Sequence, residues 1–129
     1  METWRIFLLA SGLAGCAASV VHGILSERYI VRPLRRTPRA SFDPEMRLRF
    51  TGPLIHVSTF VWCLSGLILL ICAVRATPQS AFAPGLFVTA IYAHAALVNL
   101  FTARGRHFGG WLMAAVGFVT AAGLMASMA

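Results

Sequence analysis

The chain has 129 residues, of which 58% are apolar and 12% charged, with a mean hydropathy of +0.76. A soluble domain carries about a quarter charged residues, so this composition excludes an ordinary water-soluble globule and leaves room for one domain. The net charge is +7 and all 11 basic residues are Arg, so the chemistry of a Lys nucleophile or Schiff base is excluded.

Four stretches, 6–25, 54–74, 81–103 and 108–128, contain no Asp, Glu, Lys or Arg and hold 20 to 23 residues each. A helix rises ~1.5 Å per residue, so each stretch is ~30 Å long, the thickness of a bilayer's hydrocarbon core. The reading is all-α: a four-helix integral membrane bundle, up-down-up-down, forming a single domain over 1–129.

Span 1 has a weakly basic start and an apolar run longer than a secretory h-region of about 7–15 residues, so it reads as a span and not as a cleaved signal. It carries small residues at four-residue spacing, Ser11, Gly15, Ser19 and Gly23, with a second row at Ala10, Ala14 and Ala18. Small residues let helix backbones approach in lipid. That places span 1 at the centre of the bundle or on a dimer face.

Residues 26–50 form the one long connection. The part at 27–39 is interrupted by Pro33 and Pro38. Asp43 then suits an N-cap, Pro44 a first helical position, and Glu45 complements the dipole. A short cytoplasmic helix is expected from Pro44 towards Phe50. Pro53 should kink or break the chain before span 2, because it cannot donate to the Arg49 carbonyl. Ser80 or a neighbour is expected to cap span 3, with Pro84 in its first turn. Residues 104–107 make a tight turn into span 4. Trp4, Tyr29 and Trp111 fall near interfaces, where amphipathic aromatics settle.

An isoelectric point near 11.1 would suggest nucleic acid in a soluble protein. Here topology accounts for it, and no nucleic-acid partner is expected. Nine of the 11 arginines fall in 26–50 and 104–107, and only Arg5 and Arg75 lie on the other side. The positive-inside rule makes the Arg-rich side cytoplasmic, so both termini face outward across a bacterial inner membrane. Seven of those arginines lie in 26–50, which should contact anionic headgroups.

The four acids, Glu2, Glu27, Asp43 and Glu45, all lie outside the spans, which excludes a carboxylate-coupled antiporter. No His-Glu-x-x-His, nucleophile elbow or phosphate loop occurs. Cys16, Cys63 and Cys72 lack a Cys-x-x-Cys spacing and read as small apolar fillers.

Histidines remain. His22 and His56 lie at similar distances from charged boundary residues on adjoining spans, and helical phase puts both on small, packable faces. Imidazole ligates haem, copper or zinc, or relays protons. The competing reading is a hydrogen-bonded structural pair. His22, Glu27 and His56 are expected to form one polar cluster, with Glu27 orienting His22 and Arg47 or Arg49 offsetting the carboxylate. His94 lies deeper in span 3, where Asn99 and Tyr92 could satisfy it.

The run His22–Arg28, then Arg32-Pro33-Leu34, then Arg49, His56, Thr59 and Trp62, resembles a group of small four-helix bacterial membrane proteins. These have a His-x-x-x-Gly-Glu-Arg segment ending helix 1; Ser26 stands here where that pattern has Gly. The resemblance spans about half the chain and groups His22, Glu27 and His56 without implying a reaction. A weaker one is to copper-resistance and b-type-cytochrome-like membrane domains, which implies haem or a transition metal as cofactor.

Two functions follow. One is a non-enzymatic accessory or scaffold subunit that packs against a membrane-protein partner or a second copy. The other is a haem- or metal-binding protein using His22 and His56, with Glu27 as a further metal ligand.

Overall fold

The computed structural model describes residues 1–36 and 44–128, the side chains of 36 and 44–51 excepted. The described residues are helical apart from short turns. Helix α1 is Thr3–Ser26, followed without a break by a π-helical turn at Glu27–Val31 and by α2, Arg32–Arg36. Then come α3, Pro44–Arg75; α4, Pro78–Thr102; and α5, Phe108–Met128. Four of these units are long and apolar enough to cross a membrane.

The bundle is a ring in which α1 touches α3 and α5, while α4 touches α5 and α3. Residue numbers fall along α3 as they rise along α1: Gly12 meets Gly66 and Leu70, Gly23 meets Thr59, and Val31 meets Gly52. Ser11, Gly15 and Ser19 of the expected small-residue stripe are buried, and Gly23 of it meets Thr59. At the tightest point, a Cβ on Gly66 would lie 2.7 Å from the Gly12 carbonyl oxygen and 2.8 Å from the Cys16 nitrogen. In lipid such backbone approach replaces the hydrophobic drive with dispersion contacts. Leu8, Leu69, Val88, Tyr92 and Met113 fill the interior, and large apolar side chains such as Leu13, Leu86 and Phe118 point outward.

Most hydroxyls in the spans solve their own desolvation problem. Thr59, Thr89 and Thr120 each donate to the carbonyl four residues back, and Ser19, Ser58 and Ser127 to the carbonyl three back. A bilayer offers no water, so this local bond is the available one.

Several local readings change. Pro44–Phe50 is the first part of α3 and not a separate helix, because α3 runs through Pro53 unbroken. A proline removes one ladder bond, which membrane helices tolerate when neighbours hold the helix in place. Thr77, not Ser80, caps α4: its hydroxyl accepts from the Ser80 N–H, and the Ser80 hydroxyl accepts from the Thr77 N–H. Pro78 opens that helix and Pro84 lies beyond its first turn. Trp4 is buried, with the Arg5 guanidinium over its ring at 4.4 Å, whereas Tyr29 and Trp111 are exposed. The Asp43 cap lies outside the described residues.

Specific groups close one end of this seam and the turn between α4 and α5. Arg5 donates to the Ala73 and Ala76 carbonyls at 2.7 and 3.1 Å, at the C-terminus of α3, where a cation also complements the helix dipole. Its Nε pairs with Glu2 at 2.8 Å. Helix α4 ends in a Schellman turn: Gly105 donates to Leu100 and Arg104 to Phe101, with positive φ at both Arg104 and Gly105. The Trp111 indole donates to the Gly105 carbonyl at 2.9 Å and pins that turn.

Candidate functional site

The π-helical turn organises the charged end. The Arg32 N–H donates to the Glu27 carbonyl five residues back. Pro33 supplies a reason: its ring would crowd the carbonyl four residues earlier, and a widened turn moves that carbonyl aside. In a regular α-helix, residues five apart do not face each other. The wider turn brings them into line, so the Glu27 carboxylate lies 3.7 Å from Arg32 and 3.8 Å from Arg35. His56 approaches the same carboxylate from α3, Nε2 to Oε2 at 3.6 Å.

Glu27 and His56 are thus together as expected, but His22 is not with them. Its Nε2 lies 3.4 Å from the Ser26 hydroxyl and 3.3 Å from the Ser58 hydroxyl. Its ring leans on Trp62 with centroids 4.5 Å apart and planes at 54°. The division follows from helix geometry. His56 and Ser58 are two residues apart, ~200° around α3, so one faces the Glu27 side and the other faces α4. The expected offset by Arg47 or Arg49 lies outside the described side chains; among those described, Arg32 and Arg35 fill that role.

His22 instead lines a cavity of about 790 Å³ between α1, α3 and α4. Trp62, Val61 and Leu54 form part of one wall, and Phe87, Ile91 and Val98 part of the other. Among the described residues its polar lining is His22, Ser26 and Ser58 on one side and His94 and Asn99 on α4, and no charged side chain lines it. Sequence reasoning missed Ser26 and Ser58 as site residues, although their spacing from His22 and His56 was in view.

His94 is the unusual member. Tyr92, proposed as its partner, is fully buried on another face and donates to the Trp62 carbonyl at 3.4 Å. Asn99 donates to its own helix at Ala95, 2.7 Å away. His94 itself is exposed and makes no hydrogen bond or ion pair among the described residues. An unpartnered imidazole within a membrane span is costly and marks a functional position by default.

Candidate metal sets do not assemble elsewhere: no three His, Cys, Asp or Glu residues come together among the described residues. The three cysteines are free thiols, and Cys16 bridges the seam by donating to the Cys63 carbonyl at 3.7 Å. Comparison with family models, curated proteins and solved structures gave no match.

Proposed function

We propose that this chain is a multi-pass protein of a bacterial inner membrane, up-down-up-down, with its Arg-rich side cytoplasmic and both termini outside. It serves as a non-enzymatic accessory subunit that holds a neutral amphiphile taken laterally from the bilayer. The observation that carries this reading is the cavity between α1, α3 and α4: apolar walls, two small groups of polar side chains and, among the described residues, no charge. Its size falls in the range of roughly 300–1,000 Å³ common to small-molecule sites. The Arg-rich 26–50 segment lies against anionic headgroups and fixes the depth of the bundle.

Haem or metal held jointly by His22 and His56 has less support, because the two Nε2 atoms address different partners, the serines in one case and Glu27 in the other. A Soret band in purified protein would restore it.

Mass spectrometry of the lipids retained by detergent-purified protein tests the binding role. Wild type should retain a neutral amphiphile that Ala90→Trp, which fills the cavity from the exposed face of α4, does not. Equal retention by both would sink the reading. Reporter fusions at Gln79 should read periplasmic and at Arg39 cytoplasmic; the reverse would overturn the orientation.

A further inference from the structure

The cavity's polar side chains stand in two stations on opposite walls, and each has unfilled hydrogen-bonding capacity. At the first, Ser58 gives its one proton to the Ile55 carbonyl at 2.7 Å. Its oxygen therefore accepts from the His22 Nε2–H at 3.3 Å. With Nε2 protonated, the Ser26 hydroxyl proton has no acceptor among the described residues. At the second station, both ring nitrogens of His94 are free and the Asn99 carbonyl oxygen accepts nothing among the described residues. Trp62 and Phe87 also line the cavity.

Resting on the cavity reading above, we propose that the occupant is a lipid-soluble ring with oxygen at two opposed positions, the quinone and quinol class. Three features select it. A phosphate or ammonium headgroup would meet no counter-charge in this lining, and burying it unpaired is expensive. An alcohol or sterol has one polar end and would leave one station unfilled, with its polar side chains still unpartnered within the span. An imidazole can donate to a carbonyl or accept from a hydroxyl, so His94 holds either oxidation level. The aromatic wall suits a flat ring, and exposed Leu54, Val57 and Val98 give an apolar tail a way out between α3 and α4.

The test uses the full chain in detergent. Coenzyme Q bearing one isoprene unit is titrated while tryptophan fluorescence is followed, with farnesol, a one-oxygen isoprenoid, as competitor. Saturable quenching is expected in wild type. His94→Leu should weaken it by about tenfold or more, with thermal unfolding unchanged or raised, and farnesol should compete about tenfold less well than the quinone binds. If His94→Leu does not fold, Asn99→Leu replaces it and should show the same loss. Should farnesol match the quinone and His94→Leu bind normally, while Ala90→Trp abolishes binding, the two-oxygen assignment fails and the amphiphile cavity stands. Absence of saturable binding by either probe overturns both.

Discussion

The seam between α1 and α3 and the seam between α3 and α4 share a helix and differ in almost everything else. Along the first, glycines bring backbones into contact, and one end is clamped by Arg5 on the carbonyls that end α3. Along the second, the helices stand apart around about 790 Å³ of cavity, and His94 has no partner among the described residues. Helices in lipid gain by close packing alone, so a seam left open near unsatisfied imidazole forgoes stability. Such places in proteins are where binding is found. The closed seam holds the bundle together, and the open one is free to take a ligand.

The largest effect should come from Gly66→Val. Its Cβ would meet the backbone of Gly12 and Cys16, neither of which can turn away as a side chain can. Overpacking of this kind costs about 1–3 kcal/mol or more. Thermal unfolding in detergent should fall sharply, and quinone binding should fail with it. A stable Gly66→Val variant would show that α1 and α3 do not meet there.

Arg5→Ala removes two charge-assisted bonds to the Ala73 and Ala76 carbonyls. Bonds to charged groups contribute roughly 1.5–3 kcal/mol each when shielded. Arg5 is partly exposed and sits at the membrane edge, where water can replace it, so a total of about 1–2 kcal/mol is expected. Hydrogen exchange should rise in the last turn of α3 and stay unchanged around His94. Equal loosening at both ends would erase the contrast between the seams.

The smallest effect belongs to Glu27→Gln. Its partners Arg32 and Arg35 are mostly exposed, and their distances of 3.7 and 3.8 Å are long. Pairs of this kind contribute about 0–1 kcal/mol. Unfolding should shift little, and the remaining salt dependence of stability should shrink. A large loss would mean that the carboxylate, and not Pro33, holds the π-helical turn.

Much of the architecture was legible because the bilayer imposes it. Runs without charge set the four spans, and the candidate spans of the structure overlap all four. The stripe Ser11, Gly15, Ser19 marked a packed face of α1 and is buried, although the closest backbone approach falls at Gly12 and Gly66, outside that stripe. The meeting of Glu27 with His56 was legible because Glu27 is the carboxylate that directly follows span 1, whereas equal depth and helical phase grouped His22 with them and the structure does not. Other features depended on local geometry that spacing does not reveal. The pairing of Glu27 with Arg32 needs a π-helical turn, and five-residue spacing looks unpaired in an α-helix.

The sequence by itself determined that the chain spans a membrane, which residues are too polar to face lipid, and which helix can be approached closely. These depend on composition and period, which the chain carries residue by residue. Only the tertiary structure decided what each polar group meets. His22 turned to Ser58 and Trp62 because α3 presents His56 and Ser58 on opposite sides. Tyr92 turned into the core, and His94 was left facing a cavity. Partner choice depends on the rotation of one helix against another, and a single residue of phase, ~100°, changes which wall a side chain joins.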